Sequence, residues 1–306
     1  MSTLESSNTK REAVGKKILI CGAGSIGIFL GMKLYSHGHE VHLFGRRKLR
    51  TAGKDVLINN KKFRMPKTLF KMPKNQKYDF IFITSKLYDM EKMVNLIFKN
   101  KIKAKIISNI QNGLVDCLKF KKILNKKIIP ICVFGGFRIE KNKIFSNPTP
   151  MGWKTEFSKE GKEISRLFSS CGIPCDASRK FDSLRVEKMI VNCCLNALSA
   201  IEKKPFNRLF SKKETKERIN RIFDECYQIL SRKYSLEDKE KMKKNLFSNW
   251  HNVKHFSSTY QDIVSKRKTE MDFFNGYIIK LAKQYKISAE ENLNIFKDFK
   301  KIEGDK

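Results

Sequence analysis

An α/β fold in two parts, an N-terminal doubly wound parallel sheet followed by an all-helical C-terminal domain, is predicted by three features of the 306-residue sequence. The chain opens on an apolar run, a glycine-rich turn, a helical pattern and a second apolar run. Strand-sized apolar segments then alternate with helical patterns to about residue 180. From Asp182 onward the strand signals stop and only helical periodicity remains, broken near Pro205, Ser235 and Ser288.

The opening unit carries the most specific local signal. Lys17–Cys21 reads as a strand, Gly22-Ala23-Gly24-Ser25-Ile26-Gly27 as the turn, 28–36 as a helix ending at His37-Gly38-His39, and Glu40–Phe44 as the next strand. This βαβ arrangement is Rossmann-like and points to a dinucleotide. Gly22 permits the tight turn, Gly24 lets the backbone approach a pyrophosphate, and Gly27 lets helix and strand pack closely. The pyrophosphate would rest on the unsatisfied amides at the positive end of the helix, from Ser25 and Ile26 onward. A carboxylate at the end of the second strand would bond a ribose 2′-hydroxyl. Here the chain reads Phe44-Gly45-Arg46-Arg47-Lys48, with two guanidiniums and no acid. Arg forks match phosphate oxygens, so the cofactor read from the sequence is NADP(H), with Arg46 on the 2′-phosphate.

The remaining first-half elements follow in order. Strands are predicted at 79–84, ending in Ser85-Lys86, and at 104–108, ending in the turn Gln111-Asn112-Gly113. Further strands are predicted at 128–134, 143–146, 151–154 and 173–175, and helices at 88–99 and 158–170. Ligands of open α/β sheets bind outside the carboxyl ends of the strands, which puts Lys86 and Asn112 within reach of cofactor or substrate.

Composition narrows the field. Hydrophobic residues make up 41% and charged residues 31%, a globular balance, and no apolar run approaches the roughly 20 residues of a membrane span. Residues 1–14 are polar and lack an apolar stretch, so a secretory signal is not expected and 1–15 read as a disordered extension. The net charge of +33 invites a nucleic-acid reading. Its basic residues are spread over nearly every loop and helix rather than gathered on one stripe, which argues against nucleic acid as the main partner. The field still attracts anions. Eight cysteines lie mostly in apolar stretches without a CxxC pair, which fits a cytoplasmic location. His251 and His255 sit four apart, a spacing that on a helix shares a face, but two ligands without a third make no metal site.

Two constellations in the second half are polar where the surroundings are not. Lys188, Asn192 and Asn196 recur every four residues in an otherwise apolar helix and form one narrow polar stripe. Such a stripe either walls a ligand cleft or is satisfied by a neighbouring helix. The other comprises Ser258, Asp262, Glu270, Asp272 and Asn275-Gly276, and by itself reads as a polar helix surface and a turn.

Taken in order, these pieces resemble the ketopantoate reductase family from Lys17 to about Ile302. The resemblance rests on the glycine turn, Ser85-Lys86, Gln111-Asn112-Gly113, the run from Glu187 to Ile201, and the run from Ser258 to Gly276. It implies an NADP-binding domain over 16–179, a helical substrate domain over 180–306, and a cleft between them. It further implies reduction of 2-dehydropantoate to (R)-pantoate in pantothenate synthesis. Lys188 then matches the general acid and Glu270 the acidic partner near that lysine and the substrate hydroxyl. Asn192, Asn196 and Ser258 match substrate positions, Asn112 and Lys86 positions near the nicotinamide, and Arg46 the 2′-phosphate contact. The partner implied is a small 2-oxo acid, the protein a monomer or homodimer. Arg185-Val186-Glu187 stands where the family often has an aromatic residue. The rival readings are a reductase of another 2-oxo acid, and a non-catalytic NADP-binding or nucleic-acid-binding protein.

Overall fold

The computed structural model describes residues 15–45, 55–114, 117–141 and 143–304. Arg46, Arg47 and the segment 1–14 lie outside the described residues.

The first half begins with β1 (Lys17–Cys21), α1 (Ser25–Ser36) and β2 (Glu40–Phe44), the last pairing in parallel with β1. Three short strands follow that the sequence pattern did not reveal: β3 (Val56–Ile58), β4 (Lys61–Phe63) and β5 (Lys67–Leu69). Each is three residues long, too short to establish a period. Next come β6 (Lys77–Ile83), a 3₁₀ turn Leu87–Asp89, α2 (Met90–Lys99), β7 (Lys103–Asn109) and α3 (Leu118–Leu124). The half closes with β8 (Ile128–Glu140), β9 (Lys143–Glu156), α4 (Lys159–Ser170) and β10 (Cys175–Ser178).

Parallel pairing runs β5-β2-β1-β6-β7-β8, and the order reverses at β1, whose neighbours are β2 and β6. Alternate side chains serve opposite faces. Ile18, Ile20, Phe80 and Phe82 join the core under α1 and α4, whereas Leu19, Cys21, Ile81 and Ile83 join the core that includes α2 and Phe120 of α3. Burial on both faces explains why these strands read as continuous apolar runs.

Three expected boundaries are corrected. The strand expected at 128–134 continues through Gly135 and Gly136 to Glu140, and 143–146 and 151–154 are parts of one strand, β9, antiparallel to β8. A register shift between Val133 and Gly135 accommodates the glycines. Pro148 and Pro150 are tolerated because β3 pairs β9 only near Lys143 and Ile144, and β10 pairs it only from Trp153 onward. The strand expected at 173–175 lies instead at β10, because Gly172 takes a left-handed φ of +67° and the chain is still turning there.

The second half is helical: α5 (Phe181–Ile201), α6 (Phe206–Leu209), α7 (Lys213–Leu230), α8 (Lys239–Trp250), α9 (Ser258–Val264), a 3₁₀ turn Met271–Phe273, α10 (Asn275–Tyr285) and α11 (Glu290–Gly304). Its core is built around α5, where Met189, Ile190, Cys193, Cys194 and Leu195 are fully buried among residues of α7, α10 and α11. His251 caps the end of α8 and His255 lies beyond it, so the two do not share a helix face. Among the described residues, no helix is long and apolar enough to cross a membrane.

Candidate functional site

The reversal of strand order places a crevice at the carboxyl ends of β1 and β6, the position where open α/β sheets take ligands. Gly22 follows β1 with φ of +137°, and a Cβ there would stand 2.6 Å from the Ser85 amide. A Cβ on Gly27 would stand 1.9 Å from the Gly22 carbonyl and 2.6 Å from Thr84 Oγ1. The Thr84 hydroxyl donates to that carbonyl at 2.8 Å, tying the turn to the end of β6. Gly24 differs. Its backbone is extended, it caps α1 without a side-chain hydrogen bond, and a Cβ added there meets nothing within 4 Å. Neither strain nor packing demands glycine at this position, whereas a pyrophosphate lying against the backbone would. The first amides of α1, at Ser25, Ile26 and Gly27, have no acceptor within the helix and carry its positive end. The cradle therefore fits a dinucleotide.

Next to this crevice, α5 brings Lys188 to the turn after β7. Lys188 Nζ donates to Asn112 Oδ1 at 2.8 Å and to the carbonyl of Val133 in β8, and lies 5.6 Å from the centre of the Phe134 ring. Both acceptors are neutral. An ammonium has three donors, and these contacts use two. The pocket here is lined by Gln111, Asn112, Cys132, Arg185 and Lys188 together with Asn109, Gly113, Pro130 and Ile131, and among the described residues no carboxylate lines it. Burial pushes the Cys132 thiol up, and the nearby Lys188 and Arg185 charges pull it partly back.

Lys86 sits in a different environment. Its Nζ donates to Asp262 Oδ2 at 2.7 Å and to Glu270 Oε2 at 3.1 Å. Glu270 Oε1 accepts from the Leu87 amide at 2.9 Å, and Asp262 Oδ1 accepts from Arg267 Nε at 2.9 Å. Both carboxylates are nearly fully buried. Burial by itself would lower the Lys86 pKa, but Glu270 and Asp262 outweigh it and hold the ammonium above the ordinary lysine range. The expected meeting of Lys188 with Glu270 is thus divided: among the described residues the cation within ion-pair distance of Glu270 is Lys86, and Lys188 is held by Asn112.

The stripe on α5 continues with Asn192, whose Nδ2 is buried without a hydrogen-bond partner, and Asn196, which is buried. Ser258 is exposed in the first turn of α9. Its neighbour Ser257 is buried, donates through Oγ to the Asn196 carbonyl at 3.1 Å, and accepts from the Tyr260 amide as the helix cap. Ser85 Oγ and Gln111 Oε1 are also buried without partners, while Gln111 Nε2 donates to the Ser85 carbonyl at 2.6 Å. Each such atom costs about 1–3 kcal/mol unless a ligand satisfies it. All three lie on the segments carrying Lys86, Asn112 and Lys188. Ser85, Gln111, Arg185 and Asp262 were not among the site residues expected from the sequence. Adjacency to Lys86 and Asn112 was the available signal for the first two.

Residues 18–151 match the model of the family described as Ketopantoate reductase PanE/ApbA, and 180–303 match that of Ketopantoate reductase PanE/ApbA C terminal. The 2-dehydropantoate 2-reductase of Aquifex aeolicus (strain VF5) is 28% identical over 293 residues, covering 90% of this chain and 93% of that protein. A PanE/ApbA family ketopantoate reductase from Ralstonia eutropha JMP134 shares the fold with a TM-score of 0.83 at 21% identity, covering 94% of this chain and 99% of that one. D-mandelate dehydrogenase, solved with NADH and anilino(oxo)acetate, shares it equally, with a TM-score of 0.83 at 20% identity over 94% and 98% of the two chains. With two family models matched in order over most of its length, the chain belongs to the ketopantoate reductase family.

Proposed function

We propose that this protein is an NADPH-dependent 2-dehydropantoate 2-reductase, converting the ketone of 2-dehydropantoate to the alcohol of (R)-pantoate in pantothenate synthesis. The observation that carries the reading is Lys188, fixed beside the carboxyl ends of the strands by two neutral oxygens and keeping one donor unused. The eight cysteines are free thiols, which supports a reducing, cytoplasmic setting. We draw the division between the NADP-binding and substrate domains at 179/180.

When bound, the reduced nicotinamide supplies the hydride. The chain's residues do the rest. The turn from Gly22 to Gly27 binds the pyrophosphate through the first amides of α1, and Arg46 takes the 2′-phosphate. Asn112 holds Lys188 with its carboxamide oxygen, leaving its NH2 group for the cofactor's amide. Lys188 directs its third donor at the ketone oxygen and delivers the proton as negative charge develops there. Asn192, Asn196 and Ser258 bind the substrate. Lys86 has one donor beyond its two carboxylates for the cofactor. Glu270 orients the substrate hydroxyl through its carboxylate, whose oxygens can each accept a hydrogen bond beside those from Lys86 and Leu87.

The test is NADPH oxidation by purified protein against 2-dehydropantoate and a panel of other 2-oxo acids. Highest kcat/KM for 2-dehydropantoate is the expected result. A higher value for another 2-oxo acid would reassign the substrate, and no oxidation with any of them would remove the reductase reading.

A further inference from the structure

Arg185 stands one helical turn before Lys188 on α5 and lines the same pocket. Residues three apart on a helix are surface neighbours, about 5–6 Å between Cβ atoms. The guanidinium belongs to a side chain only 15% exposed, and among the described residues the carboxylate within ion-pair distance of it is Asp182, which is 74% exposed and 3.5 Å away. A contact of that length to a solvated acid compensates little of the cost of withdrawing a charge from water. The Phe181 ring also lies near it, 5.5 Å from the guanidinium carbon. Among the described residues, the pocket thus presents two cations, no carboxylate in its lining, and the unpartnered acceptor of Gln111.

We infer that Arg185 is a specificity-determining residue that binds the carboxylate of the substrate, making this pocket selective for 2-oxo acids over their esters and lactones. The inference rests on the reductase reading above and adds a residue to it. In a 2-oxo acid the carboxylate is bonded to the ketone carbon. A group holding it must therefore lie close to the group that contacts the ketone oxygen, and Arg185 has that relation to Lys188. A guanidinium fork matches a carboxylate better than an ammonium does.

The experiment compares wild type, Arg185→Gln and Arg185→Lys on 2-dehydropantoate and on its lactone, which lacks the free carboxylate. Arg185→Gln should lower the acid-to-lactone ratio of kcat/KM roughly 10- to 100-fold, through KM for the acid, as loss of a charge-assisted hydrogen bond requires. Arg185→Lys should restore part of the ratio. An unchanged ratio in folded Arg185→Gln, or equal loss on both substrates, overturns the inference. Calorimetric binding of oxamate, an unreactive 2-oxo acid analogue, separates this result from failure of the reductase reading. If the wild type binds oxamate, Arg185→Gln does not, and no 2-oxo acid is reduced, the reductase reading fails and the carboxylate site stands. If 2-dehydropantoate is reduced with a ratio insensitive to residue 185, the reverse holds. Absence of both turnover and oxamate binding overturns both.

Discussion

Two lysines flank the turn after β7, and their surroundings are opposite. Lys188 is held by a carboxamide and a backbone carbonyl, in a pocket that no acid lines among the described residues. Lys86 is held by two buried carboxylates, each anchored a second time, by Leu87 and by Arg267. A cation between two anions has its charge fixed, and its contacts strap β6 to the helical half. A cation among neutral acceptors has no carboxylate to compete with a substrate oxygen for its proton. The same residue type therefore delivers a proton in one place, and in the other adds cohesion to its proposed cofactor contact.

Removing each ammonium should separate these roles, and the largest effect belongs to Lys188. Lys188→Ala should lower kcat by about a hundred- to ten-thousand-fold, the contribution expected of a positioned general acid, with little change in the unfolding midpoint. Activity close to wild type would break the comparison at its catalytic end.

Lys86→Met should lower stability and raise KM for NADPH, with far less effect on kcat than Lys188→Ala. It leaves two buried carboxylates short of a partner, and denaturant unfolding should show a loss of about 2 kcal/mol. This is below the roughly 3–5 kcal/mol of a fully buried pair, because Lys86 is one-third exposed and Arg267 still holds Asp262. A collapse of kcat matching that of Lys188→Ala, with stability intact, would show that the two sites are not distinct.

The pH dependence sharpens the same point. The folded-state pKa of Lys86 is raised, so its contribution is fully present below the unfolded lysine value of about 10.4 and is lost only as pH rises through the folded value. The stability difference between wild type and Lys86→Met should hold steady from neutral pH to about pH 9 and shrink above that range. A difference already fading near neutrality would contradict the strap. The smallest effect is expected from Arg267→Ala. That side chain is half exposed, and its loss should cost under about 1 kcal/mol in the same unfolding experiment.

Much of this architecture could be read from particular residues. β1 and β2 fall where the apolar runs predict, and Gly22 and Gly27 are demanded by contacts that only glycine survives. The glycine spacing lies within six consecutive positions and so was visible in the sequence, although the contacts that demand Gly22 come from Thr84 and Ser85. The stripe of Lys188, Asn192 and Asn196 was equally visible, because helical periodicity alone puts the three on one face. Less legible was the continuity of β9 through Pro148 and Pro150, which depends on what pairs with each side of the strand. The buried serine beside Asn196 proved to be Ser257, and which of two adjacent serines caps a helix is settled by the turn leading into it.

The chain by itself determined the glycine cradle, the opening β1-α1-β2 unit and the apolar helix that carries Lys188, since each depends on spacing within a short segment. Only the tertiary structure decided which cation meets which anion. Lys86 and Glu270 are separated by 184 positions, and Lys188 and Asn112 by 76. Electrostatic partnership at such separations is set by how the helical half seats on the ends of the strands, where one lysine reaches two buried acids and the other does not.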